Sequence, residues 1–130
     1  MDPLDADFEL VRQVWRERQW PGVEESTSWG TPALKVKGKL LVRMREPDTL
    51  VLMCDFDAKE FLMEFQPDVY FQIDHYKGYP AVLVRLSKVD PAELGDRIES
   101  AWRAAAPRKL VAEFDARQAS RSDGSHPRRR

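Results

Sequence analysis

Residues 33–55 constrain the fold more than any other stretch. They form three short segments, 33–37, 39–45 and 49–55, that alternate or run apolar and are parted by Gly38 and by Glu46-Pro47-Asp48. Segments of this kind read as antiparallel strands joined by tight turns. Directly opposed residues in a hairpin share a sheet face, so a buried face must collect apolar residues from both strands. A three-residue loop Lys37-Gly38-Lys39 sets Val36 opposite Leu40 and Leu34 opposite Val42; a two-residue loop sets Val36 opposite Lys39 and mixes the faces. The same rule applied to loop 46–48 pairs Met44 with Leu50, Val42 with Leu52, and Leu40 with Cys54. The predicted core face is therefore Leu34, Val36, Leu40, Val42, Met44, Leu50, Leu52 and Cys54, with Cys54 as a small buried hydrophobe.

Helical periodicity flanks these strands. Leu4, Phe8, Val11 and Trp15 fall on one face of a 3.6-period helix that Pro21-Gly22 stops. Asp57-Ala58-Lys59-Glu60 reads as a helix start, followed by a stripe of Phe61, Leu62 and Phe65. Asp90-Pro91-Ala92-Glu93 is a stronger start, with proline at the first helical position and then Leu94, Ile98, Ala101, Trp102 and Ala105. Leu110, Val111 and Phe114 suggest a short final helix after Pro107. Residues 69–73 and 81–86 form a second strand pair, and a further strand is expected before Gly30. The order is helix, three or four strands, helix, two strands, two helices. That is an α+β chain, an antiparallel sheet with helices packed on one face as a two-layer α/β sandwich.

Composition sets outer limits. At 130 residues, 42% hydrophobic and 33% charged, the chain is one domain able to bury a core. A single cysteine excludes a disulfide framework, and with two histidines it excludes a Cys/His zinc site. No apolar run is long enough for a membrane helix. The expectation is a cytoplasmic monomer with no cofactor. The net charge of −1 conceals a split: residues 117–130 carry +4 and the remaining 116 carry −5. The expected division is a folded domain over 1–116 and a flexible Arg-rich tail over 117–130.

From Ser26 to Arg45 there is no acid, while Lys35, Lys37, Lys39, Arg43 and Arg45 supply five positive charges. The sheet face opposite the core is expected to carry Lys35, Leu41, Arg43, Arg45, Val51 and Met53, joined by Tyr70, Gln72, Leu83 and Arg85. Basic edges around an apolar centre suit a single-stranded or otherwise anionic partner, with cations on phosphates and flat groups stacking. Tyr76 and Lys77 lie in the loop His75-Tyr76-Lys77-Gly78-Tyr79-Pro80 that joins the second strand pair. The candidate nucleic-acid-binding residues are thus Lys35, Lys37, Lys39, Arg43, Arg45, Tyr76 and Lys77. Trp29, in a turn-rich stretch, reads as a lid on the core or a stacking platform. No glycine loop for phosphates is present, and no nucleophile, base and acid fall together, so an enzyme is not expected. Asp2, Asp5, Asp7 and Glu9 suit a helix start without any metal. The alternative is a protein- or small-ligand-binding domain using the open sheet face around Leu41, Val51 and Met53, with an iron site as a weaker option.

Three stretches resemble a known family. Pro21-Gly22-Val23-Glu24-Glu25-Ser26-Thr27-Ser28-Trp29-Gly30-Thr31-Pro32-Ala33-Leu34-Lys35-Val36-Lys37-Gly38-Lys39 resembles the early signature of the MmcQ/YjbR family, with Leu34 where the family usually has Phe. His75-Tyr76-Lys77-Gly78-Tyr79-Pro80-Ala81-Val82-Leu83-Val84-Arg85-Leu86 resembles its second signature, and Ala101-Trp102-Arg103-Ala104-Ala105-Ala106-Pro107-Arg108-Lys109-Leu110 its C-terminal helix. The resemblance covers residues 8–111. It implies a CyaY-like (frataxin-like) sandwich, a bacterial origin and a DNA-binding family label, and it carries over no catalytic or DNA-contacting residues. The CyaY-like topology is also what raises the iron option, by analogy alone.

Overall fold

The computed structural model describes residues 2–125, with side chains through Arg121. Helix α1 (Pro3–Arg18) starts where the Asp2 carboxylate accepts the Leu4 amide and Pro3 needs no partner for a missing N–H. Strands β1 (Val23–Ser28), β2 (Thr31–Val36), β3 (Lys39–Glu46) and β4 (Thr49–Met53) follow. Then come α2 (Phe56–Phe65), β5 (Tyr70–Phe71), a 3₁₀ turn at Asp74–Tyr76, β6 (Ala81–Arg85), α3 (Pro91–Ala105) and α4 (Arg108–Ser125). The six strands form one antiparallel sheet in the order β1-β2-β3-β4-β6-β5. The architecture is α+β, as the helix and strand signals predict. Among the described residues no helix is long and apolar enough to cross a membrane.

One face of the sheet is roofed by helices. Leu34, Val36, Val42, Met44, Leu50 and Leu52 bury there with Phe8 and Val11 of α1, Leu62 of α2, Leu94, Ile98 and Trp102 of α3, and Phe114 of α4. The Trp102 indole donates to Pro21 O at 3.0 Å and its ring meets Phe114 edge-on. Asp90 caps α3 by accepting the Ala92 and Glu93 amides, as its sequence signature predicts.

The core face departs from expectation at Leu40, Leu41 and Cys54. Strands β2 and β3 turn through two residues, not three: Lys37 (φ 51°) and Gly38 (φ 80°) are both left-handed, the geometry that matches strand twist in a tight hairpin. Val36 therefore faces Lys39 and Lys35 faces Leu40, while Leu34 still faces Val42. Leu41 is the extra residue between them, a bulge that turns it into the core at 0% exposure while Leu40 is only half-buried. Cys54 lies just past the end of β4, half-buried against the core. Burial, aided by the neighbouring Asp55 carboxylate, pushes its thiol pKa up to about 11.

Three helical readings are also corrected. The cap of α2 is Asp55, whose carboxylate accepts the Ala58 amide, so the helix begins one residue before Asp57. Phe61 and Phe65 are 59% and 64% exposed and stack on each other outside the core. Helix α4 runs on through Ser125, so residues 117–125 are helical where a flexible tail was expected. Arg117 donates to Gln19 O at 2.6 Å. Residues 126–130 of that expected tail lie outside the described residues.

Candidate functional site

The opposite face of the sheet is not the open surface that the alternation suggests. Val51, Ala81 and Leu83 point to this side and are buried under Tyr76, with Met53 and Phe71 packed at the margin. Tyr70 turns instead into the helix-covered core, where its hydroxyl donates to Glu93 Oε2 at 2.6 Å. Burial, together with that bond, raises its pKa above the ordinary tyrosine value. An exposed apolar centre at Leu41, Val51 and Met53 is therefore absent: Leu41 is on the other face and Val51 is 1% exposed.

The cover is the segment 74–80, and a lysine holds it down. Lys59 of α2 is buried, and its Nζ donates to Tyr76 O at 2.7 Å and Tyr79 O at 2.8 Å. Burial pulls its ammonium pKa below the usual lysine value. Two carbonyl acceptors compensate its buried charge. A helix periodicity argument treats Lys59 as surface, and nothing local in sequence marks it otherwise.

Beside that cover lies a groove of about 460 Å³ lined by Trp29, Leu40, Arg43, Arg45, Val51, His75, Tyr76 and Tyr79. Arg43 is fixed by three donations: to Thr31 Oγ1 at 3.3 Å, to Met44 O at 3.1 Å and to the Tyr76 hydroxyl at 3.1 Å. The Arg45 guanidinium lies 5.8 Å from the Tyr76 ring centre and 3.6 Å from Glu46. His75 and Tyr79 set their rings edge-on to Tyr76 at 5.0 and 5.8 Å. Among the described residues, no Asp, Glu, Ser or Cys lines the groove.

Trp29 is the side chain that sequence reasoning left undecided between lid and platform. It stands at 88% exposure in the β1–β2 turn, with φ of 56° followed by Gly30 at 77°. Left-handed backbone costs a non-glycine residue on the order of 1 kcal/mol, so neither burial nor backbone preference accounts for a tryptophan there. An aromatic followed by glycine between two strands is the sequence signal that marks it.

The structure divides the seven predicted residues. Arg43, Arg45 and Tyr76 come together in the groove. Lys37 and Lys39 are exposed at the β2–β3 turn, and Lys35 sits mid-strand opposite Glu24 of β1. Lys77 is drawn to Asp74 at 3.3 Å. The acids around α1 are engaged elsewhere. Asp5, Glu9 and Glu25 close on Arg12 at 2.6, 3.3 and 2.7 Å, and among the described residues no group of three or more His, Cys, Asp or Glu is placed to hold a metal ion.

The family model of YjbR matches residues 18–104. The chain belongs to the YjbR family. The matched span runs from the end of α1 through α3 and includes every residue of the groove. An uncharacterized protein of Mycobacterium bovis and two of Mycobacterium tuberculosis strains are each 35% identical over 100 residues, 73% of this chain and 78% of theirs.

Proposed function

We propose that this YjbR chain is a non-enzymatic module that binds single-stranded nucleic acid, DNA in the first instance, in the groove between the β1–β2 turn and segment 74–80. The observation that carries the reading is Trp29, exposed and conformationally costly at the mouth of an acid-free groove that contains Arg43 and Arg45. An exposed indole offers any base a stacking face, and nearby guanidinium groups meet the phosphates. Arg43, already braced by Tyr76, Thr31 and the backbone, presents its charge without losing much side-chain freedom on binding. Lys37 and Lys39, exposed at the turn at the far end of β2, add positive charge that steers the strand. A duplex hides its bases from Trp29 and so forfeits the stacking contribution. The lining supplies no carboxylate to orient His75 and no nucleophile for it to activate, which supports binding rather than catalysis.

The test is fluorescence anisotropy with single- and double-stranded oligonucleotides at low and moderate salt. The single strand should bind more tightly, and its affinity should fall steeply as salt rises. Trp29→Ala should weaken it about tenfold, consistent with roughly 1–3 kcal/mol per stacked base. Lys37→Glu with Lys39→Glu should weaken it and flatten the salt dependence. Affinity unchanged by Trp29→Ala and by Arg45→Glu overturns the reading.

A further inference from the structure

A second hollow, of about 520 Å³, opens on the helix-covered side between β4, the start of α2 and one face of α3. It exists because the sequence fails to fill it. Ala101, Ala104 and Ala105 give α3 a face without bulk there, and Leu40, which alternation places in the core opposite Cys54, is only half-buried at the hollow's wall. The remaining wall is apolar, from Leu52, Met53 and Leu62, with the Cys54 thiol among them. Its charged lining residues are Lys39, Asp55 and Arg97.

These three differ in what they have left to offer. Asp55 is spent on the Ala58 amide as the cap of α2. Lys39 is exposed at the rim. Arg97 lines the hollow half-buried, and among the described residues its guanidinium makes no hydrogen bond or ion pair, while its Nε, like that of Arg117, is closed off from solvent. Every other arginine of α1 and α3 is engaged: Arg12 by Asp5, Glu9 and Glu25, Arg16 by Glu9, Arg18 by Asp96 and Glu99, Arg103 by Glu99 and Asp115. A half-buried cation without a counter-ion offers an incoming anion a charge-assisted partner.

We infer that this hollow is a binding site for a monocarboxylate with an apolar body, its carboxylate on Arg97 and its hydrocarbon part along Leu52, Leu62 and α3. A planar guanidinium pairs with a carboxylate through two parallel hydrogen bonds, and the pair strengthens where water is excluded. A single negative charge suits the site better than a phosphate, because Asp55 shares the wall. The volume falls within the range of small-molecule pockets, about 300–1,000 Å³. The site is separate from the groove and does not depend on nucleic-acid binding, although Leu40 and Tyr79 line both.

The test is calorimetric titration of the full chain with decanoate, decanol and acetate, the decanoate below its micellar concentration. Decanoate should bind, with decanol at least tenfold weaker for want of the charge and acetate undetectable for want of the body. Arg97→Gln should weaken decanoate at least tenfold without lowering Tm, because Arg97 surrenders no partner on substitution. Ala104→Trp, at an exposed position on the wall, should block the mouth and abolish binding in a chain whose far-ultraviolet circular dichroism is unchanged. Absence of decanoate binding, or binding that survives both substitutions, overturns the inference.

Discussion

The two faces of the sheet are closed by different means. On one, four helices deliver side chains such as Trp102, Phe8 and Ile98 into a continuous apolar core. On the other, Val51, Ala81 and Leu83 lie under a single irregular segment whose anchor is the Tyr76 ring and whose fastening is the Lys59 ammonium. The helical face is secured by area removed from water, and the other by a few directed hydrogen bonds around a small cluster. Stability concentrated in the first leaves the second free to carry a groove, with charged and aromatic groups half in water.

The contrast is sharpest under mutation. Trp102→Ala removes the largest fully buried side chain of the helical face and should cost about 3–5 kcal/mol, read as a loss of midpoint in urea unfolding shared by all probes. Lys59→Met should cost less, about 1–3 kcal/mol, by leaving the Tyr76 and Tyr79 carbonyls without a donor. Its signature is local: hydrogen exchange should quicken at the Tyr79 and Ala81 amides while those of α3 keep their protection. If exchange quickens equally in α3, the two faces are one cooperative unit and the comparison fails.

An effect confined to alkaline pH is expected at Cys54, on the seam between β4 and α2. Its thiol pKa is raised from 9.0 to about 11 in the folded chain by burial first and Asp55 second. The neutral thiol is therefore favoured by folding, a contribution complete below pH 9 and lost as pH rises through 11. Urea midpoints measured from pH 8 to pH 11 should fall more for the native chain than for Cys54→Ala. Tyr70, also raised, is common to both and cancels. The same shift should slow alkylation of Cys54 at pH 8 on the order of a hundredfold relative to an unfolded thiol.

Much of this was legible in the chain itself. Asp90-Pro91 marks α3 because a cap and a proline at the first helical position satisfy the same backbone problem from two sides. The Met44–Leu50 and Val42–Leu52 pairs follow from alternation alone. Alternation fails at Leu40 and Leu41 because a bulge adds one residue, after which period two points to the wrong face. It fails again at Tyr70, in a strand of two residues, too short for a period to show. Helical spacing similarly misplaces Phe61 and Phe65, since spacing defines a stripe but not what lies opposite it. For the groove, Arg43, Arg45 and Tyr76 were found from charge and loop aromatics. The role of Lys59 was hidden because its acceptors are carbonyls 17 and 20 residues away, and carbonyls leave no mark in a sequence.

The strand order has one further consequence. A sheet's outermost strands expose unpaired amides and carbonyls that invite another chain to add on. Here the β1 edge reads Val-Glu-Glu-Ser-Thr-Ser, with two carboxylates and no large hydrophobic residue beyond Val23. The β5 edge lasts two residues before the chain bends away into a 3₁₀ turn. One border is charged and the other is cut short, so the sheet presents no long apolar margin on which it could grow into an aggregate.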